Sequence, residues 1–472
     1  MAPKAANALR SVWSLGLACQ RRRVISIASD CRRQNRTSSA SARTAQPEAG
    51  IAGRERTCET ANSMVDGRVM VRRSRKKRRS IDTGLLLAVY APAGLLAFGQ
   101  GVLVATLPLY AGTFGVSYTL VSLAVAAAAL GTLATDVPAG ALVGRLGLRQ
   151  TLTSGPALGA VSTGALALVE HFPLLIAARL VAGVGTAMWG LSRHAFIATA
   201  VPIGERGRAI SVFGGINRIG TFAGPAVGGA LAAWISYQAS FIAAGLLATL
   251  ALVLAVRFIP ASSAQPAAVS AWGRWRVVGI VLRQNRRDLA AAAVAQTLAQ
   301  MIRAGRLFLV PVFGADVLGL TAAQVGLIMT ISAMIDVSMF IPAGQLMDRF
   351  GRKTAAVPSF AVMAAGVGLI PLAESFGDLL LATAVIGLGN GLGSGTMMTL
   401  GADLAPEGAT GEFLGLWRLI GDAGAFLGPV AVGIIAGTAG LRGSAVVLAG
   451  VGVAASATLA LLVRETRQMA PA

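Results

Sequence analysis

From residue 84 onward apolar residues run together in long blocks instead of alternating with polar ones. Twelve such blocks can be marked, at 84–110, 118–143, 151–169, 173–200, 208–233, 238–257, 288–313, 321–347, 354–373, 379–400, 412–437 and 442–463. Each approaches or exceeds the roughly 20 residues a helix needs to cross a hydrocarbon core of about 30 Å. Gly and Pro recur inside them, which membrane helices tolerate because neighbouring helices satisfy the freed backbone groups. The pattern predicts an all-α integral membrane protein with twelve transmembrane helices.

The polar stretches between the blocks carry charge of alternating character. One set of loops and ends holds Arg145, Arg149, Arg206, Arg208, Arg257, Arg274, Arg276, Arg283, Arg286, Arg287, Arg349, Arg352, Lys353, Arg464 and Arg467. The opposite set holds one basic residue, Arg442, beside Glu170, Asp316, Glu374 and Asp378. The excess of cationic residues on one side predicts a multi-pass protein of the cell membrane with both termini in the cytoplasm. The longest loop, 258–287, contains Pro260 and Pro266 and separates two groups of six spans, 81–257 and 288–464, before a short C-terminus at 465–472.

The two groups repeat each other. The segment PAGALVGRLGLRQT at 138–151 matches PAGQLMDRFGRKTA at 342–355, and GTFAGP at 220–225 matches GAFLGP at 424–429. Both matches share an offset of 204 residues, at which Gly183 and Gly185 also fall on Gly387 and Gly389. A duplicated six-helix unit follows: two pseudo-symmetric six-helix bundles, an arrangement in which carriers place substrate between the halves.

Composition agrees for the body and sets the N-terminus apart. Of the 472 residues 55% are hydrophobic and 13% charged, with a mean hydropathy of +0.68; soluble domains carry about 25% charged residues. Residues 1–80 hold 19 of the 41 basic residues and all three cysteines, Cys19, Cys31 and Cys58. This basic, Ser-rich segment has the composition of a transit peptide, but a leader upstream of a start at Met64 or Met70 is the preferred reading, ahead of a disordered extension. The cluster RRSRKKRR at 72–79 abuts the first span, where it anchors topology on anionic lipid without implying nucleic acid. With no cysteine and two histidines, the body offers no metal site, and it contains no phosphate-binding loop or nucleophile–base pair. The expectation is a non-enzymatic protein without cofactors.

On these motifs the chain resembles the major facilitator superfamily over residues 84–464. The loop pattern G-x-x-x-D-R-x-G-R-K of that family is complete in the second half as Gly344, Asp348, Arg349, Gly351, Arg352 and Lys353. The first half keeps Gly140, Arg145, Gly147 and Arg149, but Gly144 stands where the acid belongs. The fourth span has R-x-x-x-G-x-G as Arg179, Gly183 and Gly185, and the fifth has the antiporter pattern as Gly220, Gly224, Pro225, Gly228 and Gly229. The resemblance implies a secondary active transporter working by alternating access, of the drug:proton antiporter branch, acting as a monomer on a small-molecule substrate with protons as the coupling ion. It also implies gating by Asp348, Arg349, Arg352, Arg145 and Arg149, and a role in proton transfer for Arg179. Gly220, Gly224 and Gly228 independently predict a smooth helix face for close packing.

Eight ionisable residues lie inside the spans: Asp136, Arg179, Arg218, Arg303, Arg306, Asp336, Arg418 and Asp422. Unpaired, they would cost roughly 20–28 kcal/mol, beyond the stability of a typical domain, so they must pair, snorkel or face water. With the offset removed, Asp136 and Asp336 differ by one helical turn, and so do Arg218 and Arg418. In the resembled fold the second span packs on the eleventh and the fifth on the eighth, which predicts two latches across the halves, Asp136–Arg418 and Asp336–Arg218. The competing arrangement keeps each charge in its own half, with Arg418 on Asp422 at i, i+4. Proton coupling falls to Asp422, Asp336 or Asp136, since the first span has no acid and Gln100 is its most polar long side chain. Arg303 and Arg306 are expected at the substrate cavity, with outward snorkelling the alternative for Arg306, and Arg193 and His194 are expected to snorkel at a rim. Export of small amphipathic compounds or drugs is the leading expectation. Alternatives are a carrier of an organic anion, drawn from the five arginines against three acids, and a receptor or scaffold whose basic tail recruits partners.

Overall fold

The computed structural model describes residues 85–201, 206–259, 276, 279–281, 283, 286–406 and 409–466, with backbone alone at 137–145, 198–200 and 206–211. The basic segment 1–80, most of the loop expected at 258–287 and the side chain of Arg145 lie outside the described residues.

The regular structure of the described residues is helical, and it resolves into twelve helices. In the first half these are α1 (Leu86–Gly112), α2 (Tyr118–Leu146), α3 (Leu148–Ala165), α4 (Phe172–Ala200), α5 (Arg206–Trp234) and α6 (Tyr237–Phe258). The second half has α7 (Arg286–Asp316), α8 (Ala322–Phe350), α9 (Arg352–Leu369), α10 (Phe376–Asp403), and α11 and α12 at 410–439 and 441–461. Counting the continuous Thr410–Leu461 once, nine helices among the described residues are long and apolar enough to cross a membrane. The chain turns at Gly440, where φ is 72°, so this segment supplies two spans. α3 and α5 are less apolar because they carry Arg149, Gln150 and Thr151, and Asn217 and Arg218.

The repeat is written into the corners. Gly115 and Gly319 (φ 68° and 64°) follow α1 and α7, and Gly147 and Gly351 (φ 85° and 105°) follow α2 and α8. Each pair is separated by 204 residues, and each needs a left-handed backbone that only glycine adopts cheaply. α8 and α10 begin with reciprocal capping boxes, Thr321 with Gln324 and Ser375 with Asp378, which satisfy orphan amides of the first turn. Two spans expected to be unbroken are interrupted: α8 at Met339, and α10 at 393–395, where Gly395 takes a φ of 79°.

Helix neighbours repeat as well. α1 packs on α5 and α6, α2 on α4, and α3 on α4 and α6; α7–α12 reproduce the scheme. The main contacts between the halves are α2 with α11 and α5 with α8, and α1 adds lesser ones to α7 and α8. Core positions are filled by Ile302, Phe308, Phe313 and Phe360. Outward-facing Leu168, Trp234 and Leu461 are more than 80% exposed, as lipid contact requires.

Candidate functional site

The site is organised by the seams that let helices approach. A Cβ at Gly220 would meet Gly94 O at 2.7 Å, and one at Gly224 would meet Gly101 Cα at 2.5 Å. Gly228 abuts Val102. These three glycines therefore press α5 onto α1 within the first half. Gly229 and Pro225 of the same motif serve another contact, against Ala322 and Gly326 of α8 across the halves. There Ala226 N donates to Thr330 Oγ1 (2.9 Å). Gly424 and Gly428 repeat the first seam on Thr297 and Met301 of α7.

Both proposed charge pairs meet across the halves. Arg418 Nη2 on α11 lies 3.1 Å from Asp136 Oδ1 on α2, and Arg218 Nη1 on α5 lies 3.4 Å from Asp336 Oδ1 on α8. The within-helix alternative is present too, since Arg418 Nε is 3.5 Å from Asp422 Oδ2. One guanidinium thus stands between two carboxylates that also approach each other. The remaining oxygen of Asp136 and Oδ2 of Asp422 are buried without a hydrogen-bond partner. The Asp336 pair is better satisfied: Asn390 Nδ2 donates to Asp336 Oδ2 (2.7 Å), and Arg218 donates to Ser394 and lies over the Phe340 ring.

Between the halves is a cavity of about 490 Å³. Its walls come from α1 to α7 and α11, and its polar lining includes Gln100, Thr132, Arg179, Arg193, Asn217, Arg418 and Asp422. Arg303 and Arg306 do not line it. Arg303 is held inside the second half by Gly393 O (2.9 Å), Gln300 Oε1 (3.5 Å) and the Phe360 ring. At the end opposite the Arg-rich loops the halves also touch, with Thr119 Oγ1 donating to Gly433 O (3.4 Å) and Ser122 abutting Gly433.

The Arg-rich loop end of the second half is a network of its own. Arg352 Nε donates to Asp403 Oδ2 at 2.9 Å and Nη1 lies 3.9 Å from Asp348, which is 80% exposed. Glu465 accepts from the amides of Arg352 and Lys353 at 2.9 and 3.0 Å, where the dipole of α9 favours an anion. Arg349 lies over Phe350. In the first half Arg149 donates to Val256 O (3.2 Å).

Sequence reasoning left Asn390 and Ser394 out of the charged network, left Thr132, Asn217 and the aromatic Trp189 out of the cavity lining, and misplaced Arg193. The first two are uncharged, and a break in α10 brings Ser394 to Arg218. Arg193, expected at a rim, lies about 10 Å inside the end of α4 and lines the cavity. The signal that would have found it is spacing: Arg193 follows Arg179 by 14 residues, within about 40° of the same helix face.

Comparison with known proteins fits this geometry. The family model described as Major Facilitator Superfamily matches residues 90–429 and 292–472. An uncharacterised MFS-type transporter of Methanocaldococcus jannaschii is 21% identical over 73% of this chain and 89% of its own length. The riboflavin transporter RibZ of Clostridioides difficile is 22% identical over 66% and 79%. The quinolone resistance protein NorA of Staphylococcus aureus is 27% identical over 37% of this chain and 45% of its own. Among solved structures, a D-xylose–proton symporter superposes with a TM-score of 0.68 at 18% identity, covering 82% of this chain and 99% of that one.

Proposed function

Because this chain belongs to the Major Facilitator Superfamily, it is a multi-pass membrane carrier of small molecules and not an enzyme, and we propose that it exports small amphipathic compounds by alternating access in exchange for protons. The observation that carries this reading is the charged trio Asp136–Arg418–Asp422, which joins the two halves and opens onto the central cavity through Arg418 and Asp422. With all three ionised the trio carries one negative charge, and a single proton neutralises it. Protonation therefore changes the force that holds α2 against α11. Opening that end also requires the Asp336–Arg218 pair to part, and Asp336 is the second coupling candidate.

Direction is supported by the antiporter motif of α5 and by the likeness to NorA, a quinolone resistance protein. The cationic loops support an orientation with the α2–α3 and α8–α9 ends, and both termini, in the cytoplasm of a cell-membrane protein. In that orientation the two latches close the cytoplasmic side, and the Arg352–Asp403–Glu465 network stiffens the loop that must move with it. The site lies within one chain, so a monomer suffices.

Cellular accumulation of a panel of cationic, neutral and anionic dyes, with and without a proton uncoupler, tests the reading. Expression should lower accumulation of some panel members, the uncoupler should abolish the effect, and Asp422→Asn should cripple it. Raised uptake, or export indifferent to the uncoupler, would refute proton-driven efflux.

A further inference from the structure

Charge around the cavity is unbalanced. Arg179, Arg193, Arg418 and Asp422 line it, and Arg418 is taken up by Asp136 and Asp422. The other two arginines have no carboxylate partner among the described residues. Arg193 lies 4.5 Å over the Phe213 ring, which partly compensates its charge. Arg179 has no ion pair, hydrogen bond or aromatic face among the described residues, and its Nε is sealed from solvent without an acceptor. Arg303 is better accommodated: its Nε too lacks an acceptor, but a carbonyl, an amide oxygen and an aromatic ring surround the guanidinium.

A cation inside the membrane is costly even on lenient scales, and such residues mark substrate or ion paths. A planar guanidinium fork is matched by a carboxylate, which it holds through two parallel hydrogen bonds. Neutral polar groups such as Gln100, Thr132 and Asn217 interrupt a wall that is otherwise mostly apolar, with Leu103, Leu107 and Trp189 among its residues. A volume of about 490 Å³ suits one small organic molecule.

From these observations we infer that the transported compound is an amphipathic organic anion, whose carboxylate or similar planar anionic group is received by Arg179 while its apolar body lies along α1. Arg193 lies about 21 Å further along α4, so one small anion meets the two guanidiniums in turn rather than together. The inference rests on the carrier reading above and names its substrate class.

The test uses the full chain in proteoliposomes under a pH gradient. The probes are fluorescein, a rhodamine cation with the same ring system, and a panel of aromatic carboxylates paired with the corresponding amines. The wild-type chain should move carboxylates in preference to amines. Arg179→Gln should raise the carboxylate KM about tenfold or more and Arg179→Lys should raise it less, so that the ratio of carboxylate to amine transport falls most in the glutamine variant. Elution as a single species with an unchanged melting temperature shows that the variants fold, and Arg179→Lys retains the charge if Arg179→Gln does not. Preference for amines, or a carboxylate KM indifferent to both substitutions, overturns the anion assignment while leaving the carrier reading standing. If the wild-type chain moves no member of the panel, the carrier reading falls and the inference with it.

Discussion

At the scale of single residues the function rests on how few intramembrane charges are matched. Arg418 has two acids and Asp336 has Arg218, whereas Arg179 faces the cavity alone. The paired side chains are 13–31% exposed, so removal of one partner strands a largely desolvated charge. Arg218→Ala should destabilise the protein by about 1–3 kcal/mol. In thermal melts of the purified chain, the double exchange Asp336→Arg with Arg218→Asp should recover part of the loss; additive single effects would show that the pair does not couple. The acids and arginines were legible because the 204-residue offset brings them into register. Asn390 and Ser394 were not, since uncharged polar residues in an apolar run look like ordinary helix, and the contact of Ser394 depends on the chain path after Leu392.

Among elements, the governing contacts are glycine seams. A branched side chain at Gly224 would have to displace the backbone of Gly101 and Phe98, with no flexible neighbour to yield. Gly224→Val should lower stability by about 1–3 kcal/mol or more and reduce the yield of folded protein. Gly215, on the same helix with open space at its Cβ position, should accept alanine without loss. Equal effects at the two positions would contradict the seam. The helices themselves were legible as apolar runs. The breaks at Met339 and at 393–395, and the joining of α11 to α12 through Gly440, were not, because an interruption of helical hydrogen bonding leaves hydrophobicity unchanged.

For the whole molecule, duplication makes one half a copy of the other and leaves transport to their relative movement. The cavity was foreseeable only as a position between the halves; which arginines reach it depends on the tilt and rotation of each helix, set by packing rather than by sequence spacing. Removing residues 1–63 should leave transport intact, whereas a receptor or scaffold acting through the basic segment would lose its activity. The central claim is that the halves rock about the cavity, opening one end as the other closes. With Cys19, Cys31 and Cys58 replaced by serine the chain has no cysteine, so pairs of spin labels can be introduced on α2 and α11. One pair, Leu146 with Thr410, reports the Arg-rich loop end, and the other, Leu120 with Thr438, the opposite end. Double electron–electron resonance should show the first distance lengthening and the second shortening when Asp136 and Asp422 are both changed to asparagine. Distances that move together, or that ignore the substitutions, would contradict it.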